Sequence, residues 1–293
     1  MPTALLSNRS AIHVDGAEAE HFLQNILTTD LDQLEHGEVK PGALLSPQGK
    51  ILFDFLISRN GETGFRLDCR AELADDFVKR LMLYKLRAKA EISKPDQADI
   101  AVRWDDESGS SETDPASDGI GWLADRRFPA AAHVLRGYGA PAAANASEDD
   151  WTRLRIAHGI AESGEDFAPG DAFPHDVLLD LSGGIGFSKG CYVGQEVVSR
   201  MQHRGTARRR VMLAEAEQDL PGGGTELRVN ERPIGTLGSA LGTAGLAIVR
   251  IDRVKDALDA GQPVMAGDVA VTLSIPAWAG YALPQDKSDA EQP

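Results

Sequence analysis

The sequence predicts an α+β protein that ends in a small β-barrel, and three observations carry that expectation. In the long N-terminal part, some segments repeat apolar residues at helical spacing and others alternate at strand spacing. From Arg208 onward the helical period nearly disappears, and short alternating runs are cut by glycine- or proline-containing turns. The chain also has 293 residues, more than one ordinary core accommodates, so two or three domains are expected.

From Glu18 to Leu27, residues Phe22, Leu23, Ile26 and Leu27 share one stripe, with Asp15 and Glu18 spaced as a capping pair; a packed amphipathic helix is predicted. Gly42 to Ser58 reads as a hairpin turning at Ser46-Pro47-Gln48-Gly49. A strand from Phe65 to Cys69 leads into a helix from about Ala71 to Lys89, on which Leu73, Phe77, Leu81 and Tyr84 recur at helical spacing. Strands near Ala90 to Ser93 and Ile100 to Trp104 follow. Residues 105–119 are acidic, small and polar, which makes them a surface loop. A second irregular stretch, Ala140 to Asp149, ends in a cap for a helix from Trp151 to His158. Val197 to Gln202 reads as another helix. The barrel strands are Arg210 to Ala214, Thr225 to Val229, Ile234 to Leu241, Gly245 to Ile251 and Val269 to Ile275, with one short helix near Arg253 to Leu258 and a frayed tail at 281–293.

Composition excludes several classes of function. No apolar run approaches the roughly 20 residues of a membrane-spanning helix. The N-terminus lacks the apolar core of a secretory signal and the arginines of a transit peptide, so a cytoplasmic protein is expected. Forty-five acidic against 30 basic residues give a net charge of −15, which repels nucleic acid and anionic lipid at long range. Two cysteines, Cys69 and Cys191, allow one disulfide at most, and a chain with a sizeable core has no need of it.

Chemistry concentrates between Leu181 and Glu196, where five glycines surround one thiol. A ligand could touch the main chain there. Cys191 would sit just before a helix N-terminus and near Lys189, both of which favour a thiolate, while Glu196 opposes it. The alternative is a small buried cysteine in a tight turn; Cys69, at the end of an alternating strand before a helix, reads as packing. One thiol cannot hold an iron-sulfur cluster alone, and the chain lacks even a CxxC pair, so any cluster contact must be shared. Along the predicted strand Ile51, Phe53, Phe55 and Ile57 share one face, leaving Asp54 between Leu52 and Leu56 on the other. Asp54 is either an exposed edge aspartate or a pocket acid able to accept hydrogen bonds from a pterin ring. Asp125-Arg126-Arg127 would place a guanidinium on a carboxylate. Arg200, His203, Arg204, Arg208, Arg209 and Arg210 form a basic strip that suits a folate glutamate tail, an acidic partner or an RNA backbone, or is an ordinary solvated face.

The run Lys189-Gly190-Cys191-Tyr192-Val193-Gly194-Gln195-Glu196, followed by Arg200 and Arg204-Gly205, resembles the signature of the YgfZ branch of the GcvT-like family, which includes mitochondrial iron-sulfur maturation factors. The resemblance extends to Ala19 to Gln24 with Thr28-Thr29-Asp30, the Gly42 to Ile57 hairpin, Asp125-Arg126-Arg127 and Arg153 to Ile160, and so covers nearly the whole chain. It implies two interleaved α+β modules around a central tetrahydrofolate channel over residues 1–206, with a closing barrel over 207–280. It implies a role in making or repairing iron-sulfur enzymes, especially [4Fe-4S] enzymes, with iron-sulfur carriers and client enzymes as partners and with effects on tRNA modification as a consequence. Carried over by position, the functional group is Cys191, as a thiol and a shared, transient cluster ligand, with Lys189, Tyr192, Gln195, Glu196 and Arg200; the folate contacts are Asp54, Arg127, Gly190 and Gly194. Aminomethyltransferases of the superfamily carry two adjacent acids where this chain has Phe53-Asp54 and lack a cysteine at 191, and both departures count against glycine-cleavage activity; the chain also reads Phe173-Pro174-His175-Asp176 where the resemblance implies a glutamate shortly after that proline, a polar pocket contact. A one-carbon transferase or demethylase is therefore the rival expectation, and a partner-binding scaffold the third.

Overall fold

The computed structural model describes residues 1–95, 99–105, 121–139, 143–205 and 207–284. Nearly all of the predicted acidic loop, the first residues of the second irregular stretch and most of the tail lie outside them.

The chain opens with two strands that were not predicted, β1 (Thr3–Leu5) and β2 (Arg9–Asp15). β1 is too short to show a period, and β2 buries adjacent Ala11 and Ile12 on opposite faces, which erases the alternation of a half-buried strand. Helix α1 (Ala19–Gln24) buries Ala19, Phe22 and Leu23 as its stripe requires. The expected capping pair does not form, because the Glu18 carboxylate instead accepts the backbone amide of Lys89 at 2.7 Å. The hairpin forms as predicted from β3 (Glu38–Leu45) and β4 (Ile51–Asn60), and β5 (Gly64–Arg70) pairs with β4. Helix α2 (Ala74–Lys85) stops short of the predicted end because Leu86 adopts φ 48°. β6 (Glu91–Ser93), β7 (Ile100–Arg103), β8 (Gly121–Asp125), β9 (Leu135–Tyr138) and helix α3 (Glu148–His158) follow. α3 starts in a capping box between Ser147 and Asp150 and ends on Gly159 in the left-handed conformation.

The strands make one nine-stranded sheet in the order β1-β7-β9-β8-β3-β4-β5-β2-β6. β3 is its seam, antiparallel to β4 and parallel to β8. The chain enters one half with β1, builds the other from β2 to β6, and returns with β7 to β9, so the two α+β modules are interleaved. After helix α4 (Gln195–Arg204), strands β10 (Arg209–Glu215), β11 (Glu226–Val229), β12 (Arg232–Leu241) and β13 (Ala244–Arg250), helix α5 (Ile251–Asp259), and strands β14 (Val264–Ala266) and β15 (Val269–Ser274) close a six-stranded barrel.

One core lies under α1 and α2, where Phe53 stacks on Phe77 at 4.7 Å and Cys69 is 1% exposed. Cys69 is therefore packing, and burial pushes its thiol up to about 12. Another core fills the barrel. A third joins them: Ala43, Leu45 and Ile51 of the hairpin meet Tyr192 and Val198 and the barrel residues Val211, Leu246 and Ile248. The motif singled out in the sequence therefore lies at the junction of the sheet and the barrel.

Candidate functional site

Residues 181–194 form no helix or strand, and what holds them is hydrogen bonding to the α1–β3 connection. The Thr28 hydroxyl donates to the Gly184 carbonyl at 2.7 Å and accepts the Ala43 amide at 2.9 Å, while the Gly186 amide donates to the Thr28 carbonyl at 2.8 Å. The Lys189 ammonium donates to the carbonyls of Leu27 and Thr29 at 2.8 and 2.7 Å. Burial lowers its pKa to about 8, against the opposing pull of Asp30 and Asp32. Lys189 is thus a fastener of the loop, committed to main-chain carbonyls of the α1–β3 connection.

Two neighbours of the thiol are anchored inward. Tyr192 enters the core shared with the barrel, and burial pushes its hydroxyl up to about 12. Val193 packs on the opposite core, the one under α2. Gly194 caps α4 with φ +81°, and a Cβ on it would lie 2.6 Å from the Ser46 carbonyl oxygen, so the hairpin turn seats directly on its backbone. Between these anchors Gly190 and Cys191 are left at the surface, and a Cβ on Gly190 would meet nothing within 4 Å. The alternative of a buried cysteine in a tight turn is therefore excluded for Cys191. Gln195 opens α4, and the exposed Glu196 pairs with Arg200 one turn later at 2.6 Å.

Half of the expected basic strip is held in ion pairs. Arg200 is taken by Glu196, Arg209 by Asp171 at 3.2 Å, and the buried Arg210 by Asp180 at 2.6 Å. His203 and Arg208 carry no ion pair among the described residues, and the side chain of Arg204 lies outside them.

Asp54 is half-buried on β4 and accepts hydrogen bonds from the Ser163 amide at 3.2 Å and from the Ser163 hydroxyl. Ser163 follows Glu162, which belongs to a buried ion network that the sequence did not reveal. Arg127 donates to Asp125 at 2.7 Å and to Glu162 at 2.6 Å; Arg9 binds Asp68 at 2.7 Å; Arg155 binds Asp166 at 3.2 Å. Arg136 is fully buried 3.4 Å from Asp68, with no hydrogen bond on any guanidinium nitrogen. Burial opposes charge on Glu162, yet Arg9, Arg155, Arg127 and Arg136 hold it well below the usual carboxylate range. Of this network the sequence singles out only Asp125-Arg126-Arg127 and the Arg153 to Ile160 segment, since isolated buried ions carry no periodic signal. His175, also unflagged as a contact, is 1% exposed and shares a hydrogen bond with Gln202 of α4 at 3.2 Å.

The hairpin unites the two parts of the site, with its turn under Gly194 and Asp54 on its second strand, about 17 Å further along as extended chain. Of four surface clefts of 400 to 650 Å³, none has Asp54, Arg127, Gly190 or Cys191 in its wall. Among the described residues no group of three or more His, Cys, Asp or Glu is placed to hold a metal ion.

The chain is similar to a mitochondrial protein of Chaetomium globosum named as an IBA57 homolog and iron-sulfur cluster assembly factor, with 30% identity over 88% of this chain and 74% of the relative. The mitochondrial IBA57 assembly factor of Mus musculus is 27% identical over 93% of this chain and 84% of its own length. Residues 208–281 match the family described as CAF17, C-terminal beta-barrel domain. Among solved structures, aminomethyltransferase T of the glycine cleavage system from Bartonella henselae superposes with a TM-score of 0.67 over 94% of this chain and 86% of its own, at 16% identity, which shows the GcvT-like fold. These relatives correct one expectation: they are named as mitochondrial, which points to the mitochondrion and away from the cytoplasm. The N-terminal residues behind the cytoplasmic expectation are used as strand β1, which pairs with β7.

Proposed function

The chain belongs to the family of IBA57 iron-sulfur cluster assembly factors and serves the making of iron-sulfur enzymes; from that premise we propose that it acts by presenting Cys191 as one shared sulfur ligand to a cluster in transit. The observation that carries this is the exposure of Cys191 between anchored neighbours: Lys189 is tied to Leu27 and Thr29, Tyr192 to the core, and Gly190 leaves the approach open. One thiol supplies one of the four ligands a cluster ordinarily takes, so the others come from an iron-sulfur carrier or a client enzyme docked against the loop. The cluster is cargo, and a fixed loop presents the sulfur in one orientation.

Asp54 fits a folate ring. Ser163 uses two of its acceptor positions, and an ionised carboxylate has about four, which leaves capacity for ring N–H donors. Tetrahydrofolate would supply a reduced pterin beside the strand that supports the Cys191 loop. Arg127 is committed to Asp125 and Glu162, so its part would be to hold Glu162, next to the Ser163 that binds Asp54, and not to touch the folate itself. Effects on tRNA modification would follow from failing iron-sulfur enzymes. Transferase chemistry is disfavoured by Phe53, which stacks in the core on Phe77 and leaves Asp54 as the strand's lone acid for proton transfer.

The test is complementation of a deletion strain. Cys191→Ser should melt as the wild type does but fail to restore activity of [4Fe-4S] enzymes; full restoration would remove the thiol from the mechanism. Asp54→Asn should weaken binding of reduced folate in calorimetry, whereas turnover of an aminomethyl or N-methyl substrate by the wild type would install the transferase in its place.

A further inference from the structure

Helix α2 turns Ala74, Phe77 and Leu81 into the core, yet Met82, Leu83 and Leu86 at its C-terminal end are 51%, 69% and 86% exposed. The same stretch, 79–89, carries five cations and no acid in a chain of net charge −15. Lys79 is paired with Asp76, but Arg80, Lys85, Arg87 and Lys89 have no ion pair among the described residues. Cations in a last turn complement the helix dipole, which accounts for some of these charges. It does not account for three large apolar side chains in water beside them. Leu86 adds a conformational cost: its φ of 48° with ψ −107° is a backbone state that a bulky residue resists. A strained, exposed leucine, neighboured in sequence by cations with no ion pair among the described residues, has no role in the packing of this molecule.

The geometry points to a docking surface at the end of α2 for a protein partner whose own surface has an apolar centre with an acidic rim. Charge complementarity selects the acidic rim, and Met82, Leu83 and Leu86 supply the apolar centre that interfaces use for affinity. A compact protein within the Debye length of about 8 Å feels chiefly this patch. An anionic membrane or a nucleic acid extends past it and meets the rest of a −15 molecule. The apolar stripe of α2 that could insert into lipid is already spent on the core. This surface does not depend on the role proposed for Cys191.

The probe is a labelled amphipathic peptide of about 16 residues, leucines on one face and Glu/Asp on the flanks, titrated with the full chain and followed by fluorescence anisotropy. The wild type should bind, more weakly as salt rises, and both Leu83→Glu/Leu86→Glu and Arg80→Glu/Arg87→Glu should weaken binding about tenfold or more. All four positions are exposed, so both variants should keep the wild-type melting curve, and Cys191→Ser should bind the peptide as the wild type does. No binding by the wild type, or equal binding by the variants, overturns the surface. Flotation with phosphatidylcholine vesicles containing about 30% phosphatidylserine that is lost in the same variants would make it a membrane contact instead. A concentration-dependent mass lost in those variants would make it a self-contact, and either result overturns the proposal.

Discussion

Lys189 shows how one residue can be visible in a sequence while its role is not. Its proximity to Cys191 suggested an ammonium that activates the thiol, but in the fold the ammonium binds two carbonyls about 160 positions earlier in the chain. That environment has a measurable signature. Lys189 titrates near 8 in the folded protein against an ordinary 10.5, because burial disfavours its charge. Between those values the unfolded chain binds more protons than the folded one, so stability rises with pH from about 8 to 10.5, and the penalty is fully present below 8. Lys189→Met should abolish that rise in denaturant titrations taken across this window. Amine labelling of the wild type should reveal one lysine titrating near 8; if all lysines titrate near the usual value, Lys189 is not buried as described.

Among the elements, the hairpin was legible because its turn residues and alternation are local signals, and β3, β4 and β5 appear where expected. Strands β1, β8, β9 and β14 were not, being three to five residues long and so too short to show a period. The contact between the hairpin turn and the motif loop was equally hidden, though its chemistry was written in glycines. Gly194→Ala would force an alanine to φ +81° with its Cβ 2.6 Å from the Ser46 oxygen. A cost of about 1 to 3 kcal/mol is expected, read as a lowered melting temperature together with reduced rescue of [4Fe-4S] enzymes. An unchanged melting temperature would mean that the turn does not hold the loop.

At the scale of the whole molecule, the core shared by hairpin, motif loop and barrel joins what the sequence presents as separate regions. Arg155 of α3 reaches Ser239 of β12, Trp278 donates to the His158 carbonyl at 2.7 Å, and Arg210 of β10 holds Asp180 and the His175 carbonyl, so the barrel is tied to the rest by polar as well as apolar contacts. A calorimetric scan should therefore show one cooperative transition; two resolved transitions, one of them from the barrel, would refute the shared core. The sequence by itself determined the α+β-plus-barrel class, the hairpin, most helices and the motif around Cys191, because periodicity, turn chemistry and short motifs are local properties of the chain. Only the tertiary structure decided that Cys191 is exposed, that Lys189 fastens its loop, that Asp54 is engaged by Ser163, and that buried arginines and acids neutralise one another beside it. Those facts depend on groups far apart in sequence, brought together by a sheet whose halves the chain visits alternately.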